Sequence, residues 1–212
     1  MPEGKLEIRQ LNGSYRREAR SLLYQAYRHE PTFAHIFEQD RPGFDQRVRA
    51  SVRELVEQHF NERLPSIGLV LDDRLIGIAL VSPPSKRFDI TESWMWRMRM
   101  VLTAGFRCTR RYLDYHQAVL DSLPAGQFTV LPLIGIHPSF QGHGYGLQLL
   151  EALHDWCADD QNSKGVVLDT GNARYLEFYQ RLGYQEVGQV ALGPVLEHVL
   201  YHPNPQRVSA AS

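Results

Sequence analysis

The chain has 212 residues, of which 43% are hydrophobic and 22% are charged, a balance typical of one folded domain with an insertion. The formal net charge of -1 gives no electrostatic basis for binding nucleic acid or an anionic membrane. No apolar run reaches the length that crosses a membrane, so neither class of partner is expected.

The start of the chain and its two cysteines bear on the expected location. Residues 1–5 lack the apolar core of a signal peptide. Cys108 and Cys157 each fall in a predicted helix, which favours buried thiols over a disulfide. We therefore expect a cytoplasmic protein, because that compartment keeps thiols reduced.

Composition along the chain indicates how the domain is organised. We expect a single domain over residues 1–202, with a helical insertion at 83–127. Pro203 and Pro205 precede a run of small residues, which predicts a flexible tail over 203–212.

Hydrophobic periodicity predicts the elements that precede the insertion. Alternating apolar residues predict a strand at 5–11, and three- and four-residue spacing predicts helices at 15–29 and 45–60. Two apolar segments at 67–71 and 75–81, joined by a short polar turn, predict a β-hairpin.

The most informative segment, Ile136–Gly146, reads Ile-His-Pro-Ser-Phe-Gln-Gly-His-Gly-Tyr-Gly. A buried strand predicted at 128–136 leads into it, and Pro132 and Gly135 indicate a bulge in that strand. An amphipathic helix beginning near Tyr145 follows it. The first N–H groups of a helix lack intrahelical partners and glycine has no Cβ, so this junction predicts a cradle for a phosphate group.

Three alternating glycines also fit a simple chain turn or another nucleotide motif. Asp169 lies 25 residues beyond Gly144 on a second predicted strand, but a Rossmann fingerprint needs a different glycine spacing. A Walker loop needs Gly-Lys-Ser or Gly-Lys-Thr, which does not follow these glycines. The segment downstream decides between the alternatives.

This downstream segment combines a strand, a capped helix and two terminal strands. The first strand is predicted at 165–169, and Asn172 offers a side-chain cap for a helix over 173–182. Gly183 ends that helix. The terminal strands are predicted at 184–190 and 195–201.

Two blocks resemble those of the Gcn5-related N-acetyltransferase (GNAT) superfamily in order and distance: Gln141-x-x-Gly144-x-Gly146, and Asn172 through Tyr179 to Leu182-Gly183-Tyr184. In detail the first block is similar to that of puromycin-acetyltransferase-like members. The resemblance implies an α/β (α+β) fold. Its central mixed, mostly antiparallel sheet would be flanked by helices and splayed between the fourth and fifth strands.

The resemblance also implies acetyl-CoA as co-substrate, with no metal. Main-chain N–H groups around the glycines would bind its pyrophosphate, while strand backbone and an asparagine would bind its pantetheine arm. The implied contact residues are Ile134, Ile136, Gln141, Gly142, His143, Gly144, Tyr145, Gly146 and Asn172.

Tyr179 is the implied catalytic residue, as the acid that protonates the departing CoA thiolate. It follows Asn172 by seven residues, about two helical turns, so both side chains can face one groove. A phenol suits this role because phenols and thiols have comparable pKa values. The alternatives are a core aromatic role for Tyr179 beside Phe178 and a capping role alone for Asn172.

The insertion contains the predicted acceptor contacts. Its aromatic residues and arginines suit a wall that contacts a cation or flat ring, and they also suit a helical pair with tryptophans in the core. Its second helix is predicted at 107–120. The candidate substrate-binding residues are Trp94, Trp96, Tyr112 and His116. The catalytic base stays open among Glu92, Asp114, His116 and His137.

The predicted function is acetyl-CoA-dependent transfer of an acetyl group to an amine by direct attack in a ternary complex. A small molecule is the favoured acceptor. The alternatives are a protein lysine or N-terminal acetyltransferase and a catalytically silent acyl-CoA-binding sensor. We expect a monomer or a homodimer.

Overall fold

A seven-stranded sheet organises the computed structural model, which describes residues 4–85 and 93–204. The strands are β1 (Leu6–Gln10), β2 (Ser66–Leu71), β3 (Arg74–Ser82), β4 (Thr129–Ile136), β5 (Gly165–Thr170), β6 (Gln185–Leu192) and β7 (Val195–Pro203). The helices are α1 (Arg16–Tyr27), α2 (Pro31–Ile36), α3 (Phe44–Asn61), α4 (Trp94–Ala104), α5 (Phe106–Asp121), α6 (Tyr145–Ala158) and α7 (Ala173–Arg181). The spatial order is β1-β2-β3-β4-β5-β7-β6, and β4–β5 is the parallel pair among antiparallel neighbours. This mixed, mostly antiparallel sheet flanked by helices confirms the predicted fold class.

β4 and β5 diverge soon after they meet. Their pairing is limited to Thr129 with Val166 and Val130 with Val167. On its other side, β4 has one more residue than β3 near Pro132, which is the predicted bulge. Proline suits this position because it has no N–H to donate to a ladder. The divergence opens a gap within the sheet and confirms the predicted splay.

Helices cover both faces of the sheet. α1, α3, α4 and α5 form the layer on one face, where Leu23, Leu55 and Trp96 belong to one buried cluster. α6 packs on the other face through Leu149 and Leu153, and α7 contributes partly buried side chains to the same cluster. The apolar side of each amphipathic helix is the side that faces the sheet.

The ends of the predicted elements agree with the structure to within two residues. The short helix α2 was not predicted, because its six residues make fewer than two turns and give no periodicity. Pro31 occupies its first turn, where a proline costs no hydrogen bond. α2 carries Thr32 towards the gap in the sheet.

The insertion forms a helical pair, as its structural interpretation predicted. α4 packs on α3, while α5 packs on α2 and β6. Gly105 joins the two helices with a φ of +87°. The boundaries of the domain and of the insertion stay predictions.

The last strand continues into the first residues of the predicted tail, whose boundary stays a prediction. Pro203 lies in β7, and the buried Asn204 side chain donates to the Cys157 carbonyl at 3.0 Å, so ordered chain extends two residues into the predicted tail. The remainder of that tail, 205–212, lies outside the described residues.

Cys108 and Cys157 are buried and free, as predicted. Within 4–85 and 93–204, no helix combines the length and apolar character needed to cross a membrane.

Candidate active site

The glycine loop, Gln141–Gly146, connects β4 to α6 and is anchored to the end of the strand. The Gln141 Nε2 donates a hydrogen bond of 3.0 Å to the Ile136 carbonyl. Just before the loop, the His137 Nδ1 accepts a hydrogen bond of 3.3 Å from the Ser139 N–H and stabilises the turn. These contacts fix the direction in which the loop leaves the sheet.

Two glycines of the loop have left-handed backbone, with φ of +80° at Gly142 and +83° at Gly144. A Cβ built at either position would meet no atom within 4 Å, so the space over these glycines is open. The first N–H groups of α6 lie beside them, at the positive end of the helix. Phosphate oxygens can approach this backbone directly, which fits the predicted pyrophosphate cradle.

A cavity of about 410 Å³ lies in the gap between β4 and β5. The backbone of β4, the glycine loop and one side of α7 line it. The predicted contact residues that line it are Ile134, Ile136, Gln141, Gly142, Gly144, Gly146 and Tyr179. His143, Tyr145 and Asn172 lie outside the lining; the prediction for the first two involves their backbone N–H groups.

The Tyr27 hydroxyl occupies the open side of β4. It donates a hydrogen bond to the Ile134 carbonyl and accepts one from the Ile134 N–H, each at 3.1 Å. Both backbone groups of Ile134 therefore face the gap, as contact with a pantetheine arm requires. A pantetheine amide that bonded the same backbone groups would have to displace this hydroxyl. Burial raises the pKa of Tyr27, so it stays a neutral phenol.

α7 positions both residues of the second sequence block. The Asn172 Oδ1 accepts a hydrogen bond of 3.1 Å from the Arg174 N–H, which makes Asn172 the N-cap of the helix. Tyr179 is half-buried, and its ring centroid lies 5.4 Å from those of both Phe178 and Tyr184. Burial raises the pKa of Tyr179, so its phenol is protonated at neutral pH and available as an acid.

Three carboxyl groups that the sequence did not single out as site residues line the same cavity: Glu30, Asp169 and Glu197. Tyr115 donates a hydrogen bond to Asp169, and Thr32 donates one of 2.5 Å to Glu197. Burial raises the pKa of all three carboxyls, and the neighbouring Asp169 helps to raise that of Glu197 to about 9. No local pattern marks this group, since its members come from a loop and two strands that are distant in sequence.

Part of the predicted acceptor wall reaches the cavity. Tyr112 lines it, together with Tyr115, whereas Trp94, Trp96 and His116 do not. Trp96 is 1% exposed and packs on Tyr112, with ring centroids 5.9 Å apart, while Trp94 is 67% exposed. His116 stacks on the Tyr112 ring at 6.4 Å. The geometry favours a packing role for Trp96. Tyr112 lines the cavity and stays a candidate contact for the acceptor.

The base candidates named from the sequence lie elsewhere. Asp114 is exposed and pairs with Arg110 at 3.6 Å, and His137 stabilises the turn after β4. Neither lines the cavity, and Glu92 lies outside the described residues. Across the described ranges, no three His, Cys, Asp or Glu side chains are grouped so as to hold a metal ion.

Known proteins share part of this sequence and most of this architecture. Residues 101–186 match the family model for the acetyltransferase (GNAT) domain. No curated protein sequence matches the chain significantly.

Solved structures match nearly the whole chain. A Corynebacterium glutamicum protein described as histone acetyltransferase HPA2 and related acetyltransferase has a TM-score of 0.67 at 18% identity, covering 94% of this chain and 96% of its own. Drosophila melanogaster polyamine N-acetyltransferase has a TM-score of 0.60 at 16% identity, covering 93% and 100%. The Escherichia coli ribosomal-protein-S18-alanine N-acetyltransferase has a TM-score of 0.57 at 14% identity, covering 94% of each chain. At these identities the likeness shows the fold.

Three findings together define an acyltransferase of the N-acetyltransferase class. They are the splay of the sheet at its fourth strand, the glycine loop at the start of the next helix, and the family match over 101–186. The region that matches is the GNAT acetyltransferase domain, the family that the two sequence blocks predicted. The narrower similarity to puromycin-acetyltransferase-like members stays a prediction.

Proposed function

We propose that the protein transfers the acetyl group of acetyl-CoA to the amine of a small molecule, by direct attack in a ternary complex. One observation carries the proposal: a single cavity contains the glycine loop, the open side of β4 and a group of tyrosines and carboxyls. Donor and acceptor can therefore occupy one continuous space, which brings their reacting atoms together.

The donor side of the cavity fits acetyl-CoA. Gly142 and Gly144 leave room for phosphate oxygens, and the backbone of Ile134 faces the gap where a pantetheine arm would lie. When bound, acetyl-CoA supplies an acyl group activated as a thioester. The protein contributes binding, orientation and a proton, which Tyr179 is proposed to donate to the leaving sulfur.

The placement of the thiols supports direct transfer. Cys108 and Cys157 are both buried and lie outside the cavity lining, so neither is placed to form an acetyl-enzyme. Attack by the acceptor amine itself then requires no covalent intermediate.

The size of the cavity supports a small acceptor, since about 410 Å³ is within the range of small-molecule sites. The Drosophila structural neighbour is described as an enzyme that forms N-acetylagmatine, which is a small acceptor product. The Escherichia coli neighbour is described as acetylating a ribosomal protein, so a protein acceptor remains the second candidate.

An acceptor panel tests the proposal. The purified protein is incubated with acetyl-CoA and with alkylamines, arylamines, lysine peptides and peptides with free N-termini, and CoA release is measured with a thiol reagent. We expect release above background hydrolysis with at least one small amine. Release with peptides alone would replace the small-molecule acceptor by a protein. Tight acetyl-CoA binding without release under any condition would identify a silent sensor.

A further inference from the structure

Asp169 and Glu197 lie on one face of the sheet, at the cavity. β5 and β7 are antiparallel with Asp169 opposite Val199, so Glu197 lies two positions along β7 on the same face. The same register places Glu197 opposite Gly171, where an added Cβ would lie 2.6 Å from the Glu197 Oε2. Gly171 therefore leaves room for the Glu197 carboxyl, which lies on the same face of the sheet as Asp169.

The two carboxyl groups share one part of the cavity, where Tyr115 donates a hydrogen bond to Asp169 and Thr32 donates one to Glu197. Glu197 is 2% exposed, and burial beside Asp169 raises its pKa to about 9. Burial also raises the pKa of Asp169, but the hydrogen bond from Tyr115 opposes that rise. The raised pKa of Glu197 and the hydrogen bond that Asp169 accepts from Tyr115 favour a proton on Glu197 and the negative charge on Asp169.

No basic side chain within residues 4–85 and 93–204 forms an ion pair with this charge, although Arg174 and Arg181 of α7 also line the cavity. None of the ion pairs there involves Glu30, Asp169 or Glu197. Four nearby phenols stay neutral, because burial and the charge of Asp169 raise their pKa values: Tyr27, Tyr112, Tyr115 and Tyr179. A buried carboxylate without a counter-ion is costly, so this part of the cavity is complementary to a cation.

We propose that Asp169, positioned by Tyr115 and lying beside Glu197, binds the acceptor as an alkylammonium ion and removes its proton. The inference rests on the proposed function and narrows its acceptor to aliphatic amines. Asp169 on β5 and Tyr179 on α7 line the same cavity, so the proposed base and the proposed acid face the same space.

The protons balance in this scheme. One ammonium proton passes to the Asp169 carboxylate, and the freed nitrogen lone pair forms the C–N bond at the thioester carbonyl carbon. As the C–S bond breaks, the sulfur takes the phenolic proton of Tyr179. The second proton lost by the nitrogen returns to the Tyr179 oxygen, and Asp169 releases its own proton to solvent. One proton is released per acetyl group transferred.

Two classes of amine separate this role from a structural one. An alkylamine is a cation at neutral pH, whereas an arylamine of similar size is neutral and needs no initial deprotonation. Asp169→Asn should lower kcat/KM for the alkylamine by about 10²–10⁴-fold and for the arylamine by a much smaller factor. The wild-type profile of kcat/KM should fall at acidic pH as Asp169 is protonated, and the variant should lack that acidic limb.

Matched variants complete the experiment. Asp114→Asn changes an exposed carboxylate on the helix that carries Tyr115, and should leave the kinetics and the pH profile unchanged. Tyr115→Phe removes a hydrogen bond that lowers the pKa of Asp169, so the acidic limb should move to higher pH. This second variant tests the same step if Asp169→Asn fails to fold. Thermal melts and calorimetry with acetyl-CoA check each variant.

The outcomes distinguish the two levels of inference. Wild-type alkylamine kinetics in folded Asp169→Asn protein would overturn the role of Asp169 and leave acetyl transfer standing. Equal losses for both amine classes with the acidic limb retained would assign Asp169 to structure alone. If the wild-type protein acetylates no amine, the proposed function fails and this inference fails with it.

Discussion

Tyr179 is buried enough to stay protonated and open enough to line the cavity. If it donates the proton to the leaving thiolate, Tyr179→Phe should lower kcat by about 10²–10⁴-fold and leave acetyl-CoA affinity nearly unchanged. Steady-state kinetics and calorimetry on the same protein measure both. Tyr201→Phe is the matched control, because the Tyr201 hydroxyl donates to the Lys164 carbonyl away from the cavity. A loss of no more than about twofold would reassign Tyr179 to packing.

Glu197 makes the free energy of unfolding depend on pH in an unusual direction. Its pKa is raised from 4.5 to about 9 by burial and by Asp169, with Glu30 and Thr32 as the other polar neighbours. Between those pH values the unfolded chain releases a proton that the folded chain retains, so this residue's contribution to stability falls as the pH rises.

Glu197→Gln should therefore gain stability relative to wild type as the pH rises from 5 to 8.5, a window that lies inside the raised pKa range. Urea unfolding at both pH values measures the difference. Glu177→Gln, on the exposed side of α7, serves as the control and should show no such trend. A pH-independent difference between Glu197→Gln and wild type would show that the carboxyl is ionised in the folded protein.

At the scale of the element, the glycine loop depends on a backbone conformation that residues with a side chain rarely adopt. Gly144→Glu adds bulk and negative charge where phosphates are expected, so acetyl-CoA binding should be lost. Gly43→Glu is a close control, because Gly43 has the same left-handed conformation, with φ of +84° and ψ of 13° against +83° and -5° at Gly144, and lies outside the cavity lining. Both variants carry similar backbone strain, and calorimetry should detect lost affinity in Gly144→Glu alone. Equal affinities in the two folded variants would contradict the cradle.

α4 contains two tryptophans with opposite environments. Trp96→Ala removes a side chain that is 1% exposed and should reduce the free energy of unfolding by about 3–5 kcal/mol. Trp94→Ala removes one that is 67% exposed and should change it by about 0.5 kcal/mol or less. Denaturant unfolding of both variants measures the contrast. A raised acceptor KM in Trp94→Ala without a stability change would restore its predicted acceptor contact.

Sequence reasoning was strongest where function depends on neighbouring residues. The glycine loop could be recognised because a strand, a turn and a helix start follow one another within a few positions. The cap at Asn172 could be recognised because its side chain bonds the backbone two residues on. α2 escaped prediction because one short helix gives no periodic signal.

At the scale of the whole molecule, the acidic part of the cavity could not be read from the sequence. Glu30, Asp169 and Glu197 meet because a loop after α1 and the register of two strands bring them together. Each of them alone is an ordinary carboxylate in an ordinary local pattern. Only tertiary structure shows that they share one cavity, which is why the base candidates drawn from the sequence lie elsewhere.

The hydroxyl of Tyr27 affects the tendency of the protein to aggregate through its sheet. Where β4 and β5 part, each strand becomes an internal edge, and an unpaired edge can recruit a strand of another chain. The Tyr27 hydroxyl is hydrogen bonded to both the N–H and the carbonyl of Ile134. This stretch of β4 therefore has fewer unpaired backbone groups to which an incoming strand could bond. A bond that a ligand is expected to replace can thus protect the protein from aggregation during the intervals between turnovers.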